Sequence, residues 1–278
     1  MKSNFKTLLL AIIFLGVAAS CSNDKSKQKP QKSIDDLNVE DVIFDDENLT
    51  IVYKIPSPLE MFIRMQKHNV QFNIELPNKS TNATKYVTQY QQAVNMGVYA
   101  SDMAYSCIIG NSQNTLEFFN LVKNLSVEIG LYDGVNKDIA DRVLNNISET
   151  DTLLSVTSDS YHEVVNYIEE QGLMDMQCLV VGGAWIESIY LCLESIGHAG
   201  LNDNTIELVQ DHQVLLENLV ELLSQNKQSG NVAKLLAELQ KIQEVYDVTY
   251  QNGNKTLTDK QFANIVNCVA DVRARIIQ

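Results

Sequence analysis

Hydrophobic residues in the second half of the chain recur in steps of three and four, the period of a helix that buries one face. The clearest stripes are Leu215, Leu216, Leu219, Leu222 and Leu223, then Val232, Leu235, Leu236, Leu239 and Ile242, then Phe262, Ile265, Val266, Val269 and Ile276. No proline follows Pro77, and helix interiors exclude proline because it removes a backbone hydrogen bond and clashes with the preceding turn. The pattern therefore predicts an all-α fold.

About nine helices are predicted, and the short turns between them favour an irregular bundle of antiparallel neighbours. Their approximate bounds are 58–69, 82–110, 113–129, 136–147, 150–171, 174–197, 205–225, 231–250 and 259–277. The pattern also allows a break in the second helix near Gly97, because glycine is a poor helix former. The segment 49–54, LTIVYK, is predicted to be a short extended N-terminal strap that lies on the helices.

Local signals mark several helix ends. Ser57 and Thr258 each precede a glutamate or glutamine by three residues, the capping-box pattern, and Pro58 suits the first helical position. Glycines that follow amphipathic runs are typical of helix C-termini. Four such glycines are predicted to end helices: Gly130, Gly172, Gly197 and Gly230.

Residues 1–20 have the pattern of a signal peptide. Lys2 and Lys6 precede an apolar run of about a dozen residues, which is shorter than the roughly 20 that a membrane-spanning helix needs. The sequence Ala-Ala-Ser before Cys21 resembles a bacterial lipobox, although alanine stands where leucine is commonest. This predicts cleavage before Cys21 and lipid attachment to it. An ordinary secretory signal that happens to precede a cysteine is the alternative.

Charge divides the rest of the chain into two parts. Residues 21–33 are polar, with four lysines against one acid, and are predicted to be a flexible lipid-anchored tether. Residues 34–278, predicted to be a single all-helical domain, carry 15 basic and 34 acidic residues, a net charge of −19. So acidic a body repels phosphate backbones, which argues against nucleic-acid binding. The basic tether favours the periplasmic face of the bacterial outer membrane over the cell surface, because some lipoproteins are exported to the surface by an acidic patch.

Four cysteines follow Cys21 and lie inside apolar helical patterns. This favours buried free thiols, with two disulfides as the alternative in an oxidising compartment. The four are Cys107, Cys178, Cys192 and Cys268.

Two histidine patterns fall short of a metal motif. His162-Glu-Val-Val-Asn166 is one residue away from HExxH, which needs a second histidine at i+4. Glu187, Glu194 and His198 share a helical face, but their spacing departs from the Glu-x-x-His of di-iron bundles and no second copy follows. We therefore predict no metal, no cofactor and no catalytic set.

Two clusters remain as candidate ligand contacts. The glycine pair at 182–183 is predicted to lie where another helix backbone approaches closely; the alternative is a pocket wall beside Trp185 and Glu187. Tyr99 and Asp102 share a helical face and are predicted to form either a hydrogen-bonded pair between helices or a ligand contact.

Four segments together carry a resemblance: IPSPLE at 55–60, GVYASD at 97–102, DTLL at 151–154 and GGAWIE at 182–187. In combination they resemble a family of Bacteroidota lipoproteins that has no assigned activity, over most of the chain from about residue 55 to 197. The resemblance implies an envelope location and a helical fold, and it leaves the activity open.

The favoured hypothesis is a lipid-anchored envelope protein that acts as a non-catalytic binding or assembly module. Its expected partners are the membrane, through the lipid, and an envelope protein. The alternative is an enzyme or small-molecule binder that uses a pocket near Tyr99, Asp102, Trp185 and Glu187.

Overall fold

The regular structure is helical throughout the part of the chain that the computed structural model describes, residues 55–131, 133–251 and 256–278. Within these ranges there are nine α-helices and one short 3-10 helix, which confirms the all-α prediction. The predicted signal at 1–20, the tether at 21–33 and the strap at 49–54 lie outside the described residues.

The α-helices follow one another with short connections. Their bounds are α1 Pro58–Lys67, α2 Gln89–Ile108, α3 Ser112–Glu128, α4 Lys137–Asn145, α5 Thr150–Glu170, α6 Met174–Ala199, α7 Asp203–Gln225, α8 Gly230–Thr249 and α9 Asp259–Ile276. The 3-10 helix, Ser80–Lys85, stands between α1 and α2.

The predicted capping boxes are present at α1 and α9. The Ser57 side chain accepts a hydrogen bond from the Glu60 amide, and the Glu60 carboxylate accepts one from the Ser57 amide at 2.6 Å. Thr258 and Gln261 make the same reciprocal pair at α9. These contacts satisfy backbone donors that have no partner inside the helix, so local sequence alone locates both starts.

The second predicted helix differs from the structure in two ways. Its first turns are a separate 3-10 helix, and α2 begins after Thr88, which caps it together with Gln91. The helix then runs through Gly97 without interruption, so the break considered there was wrong. Gly97 serves helix packing instead, as described below.

The predicted glycine stops are half correct. Gly130 and Gly172 have φ angles of 79° and 69° directly after α3 and α5. Gly197 lies inside α6, which ends at Ala199 and is followed by Gly200 with φ 88°, and Gly230 is the first residue of α8. The last two predictions were wrong because a preceding apolar run does not reveal whether a glycine adopts the left-handed conformation that closes a helix.

The core is built around the crossing of α2 and α6. A Cβ atom placed on Gly97 would lie 2.0 Å from the carbonyl oxygen of Val180, and one placed on Gly183 would lie 2.0 Å from that of Val94. The backbones thus touch at two reciprocal glycines, which confirms the predicted backbone approach at Gly183; a Cβ atom on Gly182 would instead meet the Leu235 side chain of α8 at 2.6 Å. One turn further on, the Ser101 hydroxyl donates to the Ala184 carbonyl at 2.7 Å.

The remaining helices surround this pair. α1, α3 and α5 pack against α2, and α4 packs against α5. α7, α8 and α9 contact α6, and they also contact one another in chain order. α6 is long and apolar enough to cross a membrane, yet 94% of its most apolar 18-residue window is buried inside the protein. Burial by neighbouring helices therefore accounts for its apolar composition.

The last turn of α9 is fastened to the start of α2. The Asn95 amide donates to the carbonyls of Gln91 and Ile276, at 2.9 and 2.8 Å. The Tyr86 hydroxyl donates to the carbonyl of Ile277 at 3.3 Å.

Candidate functional site

Three of the four predicted ligand-binding residues come together. Tyr99 and Asp102 lie one turn apart on α2, and Glu187 faces them from α6. All three are buried with no measurable exposure. Because α2 and α6 approach so closely at their glycines, side chains one or two turns beyond the crossing meet directly.

Glu187 forms a buried ion pair with Arg273 of α9. The Nε and Nη2 atoms of Arg273 each donate to one carboxylate oxygen of Glu187 at 2.7 Å, a two-pronged geometry that matches guanidinium to carboxylate. The Cζ atom of the same guanidinium lies 4.0 Å from the centre of the Tyr190 ring. The pair and the ring together join α9 to α6.

Asp102 is the second carboxyl group in this cluster. Burial, reinforced by the Glu187 carboxylate, raises the pKa of Asp102 well above its usual range, although Arg273 acts in the opposite direction. Its Oδ2 atom accepts from the Asn78 amide at 3.3 Å. The raised pKa favours a neutral Asp102, which leaves one carboxylate and one guanidinium in the buried cluster.

Tyr99 and its neighbours hold the segment before α2. The Tyr99 hydroxyl donates to the Lys79 carbonyl at 3.0 Å, and its ring stacks on Phe118 at 5.9 Å. Asn78 donates from its side chain to the Tyr86 hydroxyl at 3.0 Å. Burial raises the pKa of Tyr99, so its hydroxyl stays protonated and continues to donate.

Trp185 does not belong to this cluster. It faces α7, where its ring meets His212 edge to face at 6.1 Å. Burial lowers the pKa of His212 to about 3, and Arg64 acts in the same direction. The Trp185 indole nitrogen and the Nδ1 atom of His212 are buried without a protein hydrogen-bond partner.

The four predicted residues therefore do not line one cleft. Tyr99, Asp102 and Glu187 are held in interhelix contacts, and Trp185 is buried against another helix. Neither of the two cavities described below includes any of the four in its wall. What the four residues share is a structural role in contacts between helices.

The residues of the two histidine patterns are not arranged as metal ligands. His162 lies 3.6 Å from the Glu60 carboxylate, measured from Nε2 to Oε2, and Glu163 pairs with Arg142. His198 is exposed in the last turn of α6. Within the described ranges no three histidine, cysteine or acidic side chains are grouped as metal ligands.

The four cysteines of the helical body are free thiols, as favoured by the sequence. Cys107, Cys178 and Cys192 are buried, and burial raises the pKa of each to about 12. Cys268 is half-buried, and its thiol donates to the Lys241 carbonyl. Thiols with such raised pKa values are poor nucleophiles, so these three are structural.

An apolar cavity lies on the other side of α2, between that helix and α1, α3, α4 and α5. Its volume is about 50 Å³, several times the roughly 10–15 Å³ that one water molecule needs. The wall on α2 consists of Met96, Ala100, Met103 and Ala104. Opposite them are Phe119, Val122, Ile139, Val143, Val164 and Val165.

Few polar atoms interrupt this wall. Thr157 donates to the Cys107 thiol at 3.8 Å, and Ser57 caps α1. Ser160 of α5 also lines the cavity, is 7% exposed, and its hydroxyl has no hydrogen-bond partner in the protein. Acidic, basic and thiol side chains are missing from the wall as far as the structure describes it.

A second, polar cavity lies at the starts of α2 and α8. Its wall includes Lys234 and Arg275. Lys234 lies 4.1 Å from the centre of the Tyr90 ring, and Arg275 donates to Glu238 at 2.7 Å. Both cations already have partners in the protein.

Two parts of this arrangement were missed from sequence. Arg273 follows Val269 by four residues on the apolar stripe of α9, and a charge on a buried stripe is a usable signal for a buried partner. The cavity residues gave no such signal, because each fits an ordinary apolar helix face. Comparison with known proteins adds no further assignment: no family model, curated protein or solved structure matches the chain.

Proposed function

We propose that this chain is a lipid-anchored protein of the bacterial envelope whose helical body binds a small ligand and catalyses no reaction of its own. The apolar cavity beside α2 is the observation that carries the binding function. It is lined by residues of six helices, α1 to α6, and offers space beside an otherwise close-packed core. Protein interiors leave few voids larger than a water molecule, so this space calls for an explanation.

The composition of the wall favours binding over catalysis. Acid–base and nucleophilic catalysis need a titratable or activated group within hydrogen-bond reach of the substrate. The described wall consists mostly of aliphatic, methionine and aromatic side chains with a few hydroxyl groups. Its titratable side chain, Tyr161, has a pKa that burial raises above the usual range, so it is a poor acid or base at neutral pH. Such a surface holds a ligand through apolar contact.

Location rests on the first 33 residues. The lipobox-like sequence before Cys21 supports lipid attachment, and the resemblance to Bacteroidota lipoproteins agrees with it. The basic tether beside a body of net charge −19 supports a position near the outer membrane on its periplasmic side, without insertion of the body.

Cell fractionation tests the anchor. The wild-type chain is expected in the membrane fraction and labelled by an alkyne-bearing fatty acid, whereas Cys21→Ser is expected to be soluble, unlabelled and helical by circular dichroism. The substitution of Ser22 by Ala, one residue away, is the matched control and should remain labelled. A Cys21→Ser variant that stays in the membrane fraction contradicts the anchor.

Methionine methyl groups give a site-specific test of binding. Met96 and Met103 line the cavity, whereas Met61 and Met65 are buried outside its wall. An organic extract of the bacterial envelope is expected to shift the ¹³C-methyl signals of the first two and leave the second two in place. Unchanged signals for all four contradict the binding function. An envelope protein partner remains a separate prediction, tested by pull-down from detergent extracts.

A further inference from the structure

We infer that the polar cleft at the starts of α2 and α8 binds the phosphate group of a phosphate monoester. This cleft is the second cavity described above, and the inference is independent of the apolar cavity and of the proposed function. Three observations carry it: the charge of the wall, the hydrogen-bond donors that the protein leaves unused there, and the volume.

The cleft is a basic region on an acidic protein. Residues 34–278 carry 34 acidic and 15 basic residues, yet the described wall contains Lys234 and Arg275 and no acidic side chain. A wall of this kind attracts anions, whereas the acidic surface around it repels long polyanions such as nucleic acid. The cleft therefore suits a small anion.

The carboxylate beside the cleft is already neutralised. The Oε1 atom of Glu238 accepts from Lys241 at 2.8 Å, and its Oε2 atom accepts from Arg275 at 2.7 Å. Burial opposes ionisation of Glu238, but its contacts with these two cations prevail and lower its pKa. Lys234, Lys241 and Arg275 thus outnumber the one carboxylate. The balance stays positive even with the exposed Asp271, one turn before Arg275 on α9.

Both cations of the wall keep donors for a ligand. Lys234 lies over the face of the Tyr90 ring, 4.1 Å from its centre, and the N–H groups that point away from the ring remain available. Arg275 donates to Glu238 through Nε and Nη2. Its Nη1 atom, which carries two of the five guanidinium N–H groups, makes no hydrogen bond with a described residue. Both side chains are exposed, so a ligand can reach them without disturbing the core.

Tyr90 adds a neutral donor to the wall. The residue is only 7% exposed, and its hydroxyl makes no hydrogen bond with a described residue. Unlike the hydroxyl of Tyr246, that of Tyr90 is not enclosed by protein. Burial, reinforced by Glu238, raises the pKa of Tyr90 to about 12, so the hydroxyl stays protonated at neutral pH and can donate to an anion in the cleft.

These donors fit a phosphate group better than a carboxylate. A phosphate monoester carries a charge of about −1.5 to −2 at pH 7 and three strong acceptor oxygens. Three acceptors match one ammonium, one guanidinium and one hydroxyl group. A carboxylate carries a single charge and two oxygens, so it leaves part of the positive charge of the wall without a partner.

The volume leaves room for the organic part of the ligand. The cleft measures about 410 Å³, within the roughly 300–1,000 Å³ that is usual for small-molecule sites. Asn231 places an amide group in the same wall, which can bond to a hydroxyl of the ligand. Glycerol 3-phosphate, a phosphate monoester with two hydroxyl groups, is therefore a suitable probe.

The test uses the lipidated full-length chain in neutral detergent, labelled with ¹⁵N at arginine. The chain has four arginines. The Nε signal of Arg275 reports on the cleft, and those of Arg64 and Arg142 report on ion pairs elsewhere. The soluble probes are glycerol 3-phosphate, glycerol and acetate. Phosphatidic acid in mixed micelles presents the same phosphate monoester on a lipid.

Four variants are compared with the wild type by isothermal titration calorimetry, after circular dichroism has confirmed their helical content. Lys234→Gln and Arg275→Gln each remove one cation from the wall, and Tyr90→Phe removes the hydroxyl but keeps the ring under Lys234. Lys260→Gln is the matched control. It removes the same charge from an exposed position of α9, roughly 22 Å along the helix from Arg275.

We expect a phosphate monoester to shift the Arg275 signal and to leave those of Arg64 and Arg142 unchanged. Lys234→Gln and Arg275→Gln should each weaken binding about tenfold or more, the loss of one charge-assisted hydrogen bond. Tyr90→Phe should weaken it about three- to tenfold. Lys260→Gln should change it less than about twofold, since salt screens charges over such a distance. Glycerol should cause no shift.

The two phosphate compounds distinguish the source of the ligand. Binding of glycerol 3-phosphate supports a soluble ester, and binding of phosphatidic acid alone supports a lipid headgroup. Acetate that binds as tightly as either compound would overturn the ligand class. Equal losses in Lys260→Gln and Lys234→Gln, or no shift of the Arg275 signal with either compound, would show that the cleft is not a phosphate site. The methionine signals of the apolar cavity test the proposed function separately.

Discussion

The two sides of α2 show opposite solutions to packing. Toward α6 the helix backbones touch at Gly97 and Gly183, and no further atom fits between them. Toward α3, α4 and α5 the same helix presents methionine and alanine side chains to an open cavity. Val180 of α6 belongs to both regions: its carbonyl oxygen contacts Gly97, and the residue also lines the cavity. The tightly packed crossing of α2 and α6 therefore holds in place the helix that forms one wall of the cavity.

The largest expected effect on stability comes from adding one methyl group at the crossing of α2 and α6. Gly183→Ala would place a Cβ atom 2.0 Å from the carbonyl oxygen of Val94, and backbone cannot yield as a side chain can. We expect a loss of at least about 4 kcal/mol in the free energy of unfolding, measured by urea denaturation, or no folded protein. Gly230→Ala is the control because a Cβ there meets nothing within 4 Å, and its change should stay within about 1 kcal/mol. Equal stability of both variants would disprove the close crossing.

The next effect separates a buried arginine from an exposed one on the same helix. Arg273→Met leaves Glu187 buried without its cation, which should cost about 3–5 kcal/mol in urea denaturation. Arg275→Met breaks the exposed pair with Glu238 and should cost less than about 1 kcal/mol. The double variant Glu187→Leu with Arg273→Met should recover part of the loss. Similar costs for the two arginines would contradict the difference in burial.

A third effect concerns the side of α6 that faces α7. His212 has its pKa lowered to about 3 in the folded state, so the unfolded chain binds the proton first as pH falls below about 6.5. Stability is therefore lost with acidification, by about 2 kcal/mol between pH 7 and pH 5. Urea denaturation at the two pH values should show this loss in the wild type and a smaller one in His212→Gln. His198→Gln, at an exposed position, serves as the control; a wild-type loss that His212→Gln leaves unaltered would rule out this role.

The smallest effect compares one added methylene group on the two sides of α2. Val143→Ile extends a side chain toward the cavity and should stabilise the fold by about 0.5–1 kcal/mol. Val94→Ile adds the same group at the residue whose carbonyl meets Gly183 and should destabilise the fold by about 1 kcal/mol. Both valines are fully buried, so burial alone predicts the same sign. Thermal unfolding of the two variants measures both changes in stability. If both variants were stabilised, or both destabilised, the two sides of α2 would not differ in packing as described.

Sequence reasoning succeeded where the cause is local. The reciprocal contacts of Ser57 with Glu60 and of Thr258 with Gln261 span three residues, so both helix starts could be located in advance. The backbone approach at Gly183 was predicted correctly because adjacent glycines are costly in a helix unless close packing compensates, whereas the contact of Gly182 with the Leu235 side chain was not anticipated. Gly197 failed because its backbone angles depend on where the helix finally ends.

The candidate site was harder to predict because its contacts are distant in sequence. Trp185 and Glu187 were grouped by proximity in the chain, but residues two apart on a helix point to opposite sides. Tyr99, Asp102 and Glu187 do meet, although Arg273, 86 residues beyond Glu187, was not anticipated. The cavity depends on the summed shapes of side chains from several helices, and no short pattern encodes that sum.

The pair between Glu187 and Arg273 also sets an order for folding. Arg273 lies 86 residues beyond Glu187, and a buried carboxylate without its cation is costly. A chain that emerges from its N-terminus therefore presents Glu187 well before the cation that neutralises it. We expect the core between α2 and α6 to close only when α9 joins it.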